Sequence, residues 1–171
     1  MKSNIQKFSV LAIVLFVAFI ACKKDSAGDT TLRVRLTDAP ADYQEVNIDL
    51  KAINVKLSDD SASWVALDAI PGVYNLLGLQ NGVDTLIGTK TFSKSTVKEI
   101  RLVLGENNTI KVNDAVFPLT IPSGSESGLK IKVNKKLAAS IETLIIDFDA
   151  ALSVHQVGTG DYKLKPVLKI K

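Results

Sequence analysis

From Thr31 to the end of the chain, apolar side chains recur at every second position. A period of two admits strands and little else, because successive side chains of a strand point to opposite faces. Leu32, Val34 and Leu36 alternate with Arg33, Arg35 and Thr37. Ile100, Leu102 and Leu104 flank Arg101, and Leu129, Ile131 and Val133 alternate with Lys130, Lys132 and Asn134. Leu144, Ile146, Phe148 and Ala150 alternate with Ile145, Asp147 and Asp149, which places those two aspartates on an outward face. In one segment the frame slips: Val46, Ile48 and Leu50 are followed by Ile53, Val55 and Leu57, so one extra residue near Lys51 or Ala52 predicts a β-bulge.

Turn residues punctuate the strands. Asp38-Ala-Pro40, residues 59–63, Pro71-Gly72, Asn81-Gly82, Asn113-Asp114, residues 122–128 and Gly158-Thr-Gly160 each interrupt the alternation. Val83 to Gly88 reads as a brief helix or loop, and Trp64 as a core or rim anchor on a short strand. Pro166 has no N–H to give to a ladder and marks a sheet edge or a gap in pairing. About nine or ten short strands with turns about every 8–12 residues predict an all-β fold, an antiparallel sandwich of Greek-key, immunoglobulin- or transthyretin-like type with little helix.

The first 21 residues follow other rules. Lys2 and Lys7 precede an apolar run from Phe8 to Ile20, broken by Ser9, and Ala21 leads into Cys22, the single cysteine. Such a segment is a secretory signal, too short and wrongly flanked to stay as a membrane span. Its junction resembles the lipobox of bacterial lipoproteins, with Phe19 where Leu is usual; there the cysteine is acylated and becomes the new N-terminus. The expected organisation is a removed signal over residues 1–21, a small polar tether over 22–30 and one sandwich domain over 31–171. The expected location is the cell envelope, on the outer membrane, with the protein exported and held by lipid on Cys22. With that thiol acylated, none remains for a disulfide, a metal or a nucleophile.

Composition sets limits on partners. The net charge of +3 includes Lys2 and Lys7 of the leader, so the remainder is close to neutral. A near-neutral chain offers no argument for nucleic acid, which needs clustered cations against phosphates. Outward cations still recur on the strands: Arg33, Arg35, Lys130, Lys132, Lys163 and Lys165, with Lys169 and Lys171 near the end. Strands that shared a sheet would align them into one ligand-facing basic face, suited to anionic glycan or lipopolysaccharide phosphate.

Catalytic constellations are not apparent. His155 is the sole histidine, and residues 124–128 (Gly-Ser-Glu-Ser-Gly) place Glu126 where a nucleophile elbow needs Ser. No cofactor motif appears, and soft metals lack ligands. Asp59, Asp60 and Ser61, or Asp147 with Asp149, are weak oxygen clusters for a hard cation. Asp147 and Asp149 are better read as a charge ladder, meeting Lys163, Lys165 or Lys169 on a neighbouring strand.

Several segments taken in order carry a resemblance: Leu36-Thr-Asp-Ala-Pro40, Tyr74-Asn-Leu-Leu77 with Gln80-Asn-Gly82, Ile100-Arg-Leu102, Ile121-Pro-Ser-Gly124 with Ser127-Gly128 and Lys130, Asp147-Phe-Asp149, and Tyr162-Lys-Leu-Lys-Pro166. The set resembles the bacterial, Bacteroidetes-type lipoprotein domain of unknown function 4382, over about residues 31–171. The resemblance implies an all-β domain and transfers no catalytic residue. Triplets of Asp, Ser or Thr, and a small or aliphatic residue, similar to O-glycosylation sites of such secreted proteins, make Ser26, Thr30, Ser61 and Thr85 candidate acceptors. The function expected is non-catalytic binding or scaffolding in the envelope, toward a glycan or a protein partner. Two rivals remain. A carboxylate-based hydrolase of envelope polysaccharide would show two acids in a deep cleft. An assembly or adhesion subunit using strand addition would show an unpaired last strand beside an apolar groove.

Overall fold

The computed structural model describes residues 28–58, 63–93, 95–122 and 128–171. The alternation resolves into fourteen strands: β1 Asp29–Thr37, β2 Glu45–Leu57, β3 Trp64–Ala66, β4 Asp68–Ala69, β5 Gly72–Asn75, β6 Thr85–Ser93, β7 Thr96–Leu104, β8 Thr109–Val112, β9 Ala115–Thr120, β10 Leu129–Lys136, β11 Ile141–Phe148, β12 Val154–Val157, β13 Asp161–Leu164 and β14 Leu168–Ile170. A 3-10 turn spans Leu76–Leu79, and one helical turn, α1, spans Ala150–Ser153. Strands outnumber the nine or ten expected because Pro166 separates β13 from β14 in a run that read as continuous, and because β4, β6 and β12 form where no strand was expected.

The strands form two sheets. One is five-stranded, in the order β14-β11-β1-β6-β4; the other is nine-stranded, in the order β10-β7-β2-β8-β9-β13-β12, with β3 and β5 also paired to β2. Both are mixed rather than purely antiparallel: β1 runs parallel to β11, and β13 parallel to β9. The period of two fixes which face a side chain takes but carries nothing about strand direction. Leu32, Val34 and Leu36 of β1 and Leu144, Ile146 and Phe148 of β11 turn inward to meet Val46, Ile48, Ile53 and Val55 of β2 and Ile100 and Leu102 of β7 in one core. β1 begins at Asp29, inside the stretch expected as tether, and Thr30 is already buried.

The predicted bulge lies in β2. Leu50 faces Leu104 and Ala52 faces Val103, so Lys51 is the extra residue. It turns outward and restores Ile53 and Val55 to the core. Asp49 is thereby enclosed. Its carbonyl accepts the Gly105 N–H at 2.7 Å, and its Oδ2 accepts the Asn107 N–H at 3.2 Å with the Lys51 ammonium at 3.0 Å. Burial would raise this carboxyl, but the hydrogen bonds and charge of Lys51 and Asn107 outweigh it and hold Asp49 below its ordinary value. A Cβ on Gly105 would lie 2.2 Å from Lys51 Cε and 2.3 Å from Asp49 Oδ2, so the approach requires glycine.

Two local expectations had different outcomes. Asn113 and Asp114 both take positive φ, 50° and 63°, and join β8 to β9 as expected. Val83 to Gly88, by contrast, is no helix: β6 starts at Thr85. A register shift against β1 leaves Ile87 without a partner between Val34↔Gly88 and Arg35↔Leu86, which breaks the apolar period. Gly88 itself shows no side chain to the pattern, yet it packs against Ile53 and Ala69.

Candidate functional site

Three of the segments that carry the family resemblance, residues 36–40, 74–82 and 147–149, meet where β1 and β11 end. Asp38 follows β1; its N–H donates to the Leu79 carbonyl at 3.0 Å, and the Thr37 hydroxyl reaches the carbonyls of Leu79 and Val83 at 2.9 and 2.7 Å. Asp38 Oδ1 accepts the Ala150 N–H at 2.9 Å, and Oδ2 accepts from Gln80 Nε2 at 3.2 Å. Asp149 caps α1, its Oδ1 accepting the Leu152 N–H at 3.0 Å. The Ser153 hydroxyl accepts the Val167 N–H at 2.9 Å, so α1 also holds the link between β13 and β14. Burial raises the Asp38 carboxyl above its ordinary value; the donors at Ala150, Gln80 and Ala39 oppose this, and the Asp147 charge adds to it.

Asp147 is 1 % exposed rather than outward-facing. It pairs with Lys169 across β11 and β14, and the Lys169 and Lys171 ammonium groups stand 3.2 and 3.1 Å from its Oδ2. These are ion contacts without hydrogen-bond alignment, and Oδ1 has no partner among the described residues. Lys163 and Lys165 take no part: Lys163 faces His155 on β12. Asp149 serves the cap, so the two aspartates do not act together. Among the described residues no group of three His, Cys, Asp or Glu side chains is placed to hold a metal ion.

Beside this junction lies a cleft of about 830 Å³. Ile121 and Pro122 after β9, Leu129 at the start of β10, Leu152 of α1, and Pro166 and Val167 before β14 form its apolar walls. Among the described residues its titratable groups are His155 and Lys165, and no described carboxylate lines it. Asp38 and Asp147 are buried outside it. The last strand, β14, is paired to β11 rather than left open.

The six cations expected on one basic face are separated. Arg33 and Arg35 belong to the five-stranded sheet, and Arg35 is tied to Asp84 by Nε and by a 3.3 Å bond to its carbonyl. Lys130 and Lys132 occupy β10, one edge of the other sheet, whereas Lys163 and Lys165 belong to β13 and the segment after it, near the opposite edge. Around Lys130 and Lys132, however, the register assembles residues that the sequence reading did not group. Lys132, Glu99, Lys56 and Trp64 form one cross-strand row, and Lys130, Arg101, Asn54 and Ala66 form the next. The signal was present in the outward positions of β2 and β7, but their pairing was not.

Of the candidate glycan acceptors, Thr30 is excluded in the folded domain: it is fully buried, with its hydroxyl enclosed. Thr85 is half-buried at the start of β6. Cys22, Ser26, Ser61, the Asp59-Asp60 pair and residues 124–127 lie outside the described residues.

No curated protein and no solved structure matches the chain. A family model matches residues 29–166, from the first residue of β1 to the proline that separates β13 from β14. The chain belongs to the family described as domain of unknown function (DUF4382).

Proposed function

We propose that this chain is an exported, lipid-anchored protein of the cell envelope that works as a non-catalytic binding module. The observation that carries the binding reading is the make-up of the cleft. Apolar walls, one imidazole and one ammonium suit the capture of a ligand, whereas hydrolysis by carboxylates calls for an acid pair in contact with substrate. The acids of the adjoining junction are engaged elsewhere, Asp38 by the Ala150 N–H, Asp149 by the Leu152 N–H and Asp147 by two lysines.

The anchor reading rests on the leader and on Cys22, seven positions before Asp29. β1 spans nine residues from Asp29 to the Asp38 junction, about 30 Å at about 3.3 Å per residue. A lipid at Cys22 would therefore hold one pole of the domain, with the cleft at the other.

Two measurements test this. Mass spectrometry of the native product is expected to find the chain starting at an acylated Cys22, and Cys22→Ala is expected to leave the membrane fraction. An intact leader or an unmodified thiol refutes the anchor. Incubation of the purified chain with envelope polysaccharide is expected to release no reducing ends. Release abolished by Asp38→Asn or Asp147→Asn would assign a hydrolase instead.

A further inference from the structure

We propose that the outer face of β3, β2, β7 and β10 binds an acidic polysaccharide, a chain of sugar rings bearing carboxylates. This names a ligand class for the binding reading but uses a surface separate from the cleft. The two in-register rows put Trp64, Lys56 and Lys132 beside Arg101 and Lys130 on one face, because directly paired residues of neighbouring strands point the same way. The intervening Val55 and Ile100 are fully buried on the other face, which fixes the orientation. Register shifts beside Lys56 and Lys132 leave Lys98 without a direct partner on either β2 or β10. Lys98 joins Lys56 and Lys132 around a depression of about 360 Å³.

Charge decides the partner. Lys56, Lys98, Arg101, Lys130 and Lys132 surround a single described carboxylate, Glu99, and none of the five forms an ion pair with a described residue. Elsewhere most described cations have an ion-pair partner, as with Arg35 on Asp84 and Lys169 on Asp147, and Arg33 and Lys163, which have none among the described residues, are not gathered on this face. Arg101 is mounted over the Trp64 ring at 4.0 Å, and its Nε is buried without a partner. The stack fixes a planar fork of donors that would otherwise lose rotamer freedom on binding, and a carboxylate fits that fork. Strands about 4.8 Å apart set Lys130 next to Arg101 in one row and Lys132 two strands from Lys56 in the other, so the cations extend along a line that an elongated ligand can follow.

The test uses the full chain in neutral detergent, titrated calorimetrically with polygalacturonate and with its methyl ester. The expected result is binding to the acid form, weakened by salt, and none to the ester. Lys130→Glu with Lys132→Glu should lower affinity at least about tenfold. Both side chains are exposed and both variants keep the strand edge charged, so the thermal midpoint should not change. Arg101→Lys should show a smaller loss, and Arg33→Glu on the other sheet none. Equal binding of acid and ester, binding to neither, or an unchanged affinity in the double variant overturns the proposal. None of these outcomes bears on the anchor or on the cleft.

Discussion

Asp38 accepts a hydrogen bond from the backbone N–H of Ala150, 112 positions further along the chain, at 2.9 Å. The end of β1 and the start of α1 are thus joined by one buried carboxylate, which also takes the Gln80 side chain. Asp38→Ala leaves a buried N–H without an acceptor and should cost about 1–3 kcal/mol. Asp38→Asn keeps an oxygen for Ala150 and should cost less. Urea unfolding of both variants checks the order.

The same group gives a pH signature. A carboxyl raised in the folded state contributes stability below its unfolded value and loses it as pH rises through the raised value. Wild type should therefore improve relative to Asp38→Asn as pH falls. Asp49 is lowered, so its contribution is present above the ordinary 3.8 and is lost as pH falls through the depressed value. Wild type should lose its advantage over Asp49→Asn in acid. Urea midpoints measured from neutral pH downward should move in opposite directions for the two pairs.

Gly105→Ala drives a methyl into Lys51 and the buried Asp49 carboxylate. Lys51 can swing into solvent, but Asp49 is held by the Asn107 N–H, so a loss of about 1–3 kcal/mol is expected. Gly78→Ala meets nothing within 4 Å and should stay within about 0.5 kcal/mol. Paired thermal melts distinguish a close-approach glycine from a permissive one.

Lys169 and Lys171 share one buried oxygen. Either lysine replaced by methionine should cost about 0–1 kcal/mol, because the other ammonium remains and both are well solvated. The double replacement leaves Asp147 without a countercharge and should cost about 3 kcal/mol. A double-mutant cycle checks that the two losses are not additive.

The bulge at Lys51 was legible because a single inserted residue moves a whole apolar set to the wrong face, and the sequence records the slip. The β8–β9 turn was legible because Asn and Asp tolerate positive φ. β6 was not, since its inward residues include Gly88 and an unpaired Ile87. The burial of Asp147 also escaped: alternation set it outward, where Lys169 of β14 and Lys171 just after it reach its carboxylate. For the basic residues, face was readable and neighbourhood was not. Lys130 needed Arg101 and Asn54 beside it, and those pairings depend on strand order rather than on any local pattern.

β1 lies between β6 and a parallel partner that is made more than a hundred residues later. In a chain made from its amino terminus, the edge of β1 that β11 occupies keeps its N–H and C=O groups without strand partners until residues 141–148 are available. The five-stranded sheet therefore closes late, and its completion is a long-range step that sets the pace of folding.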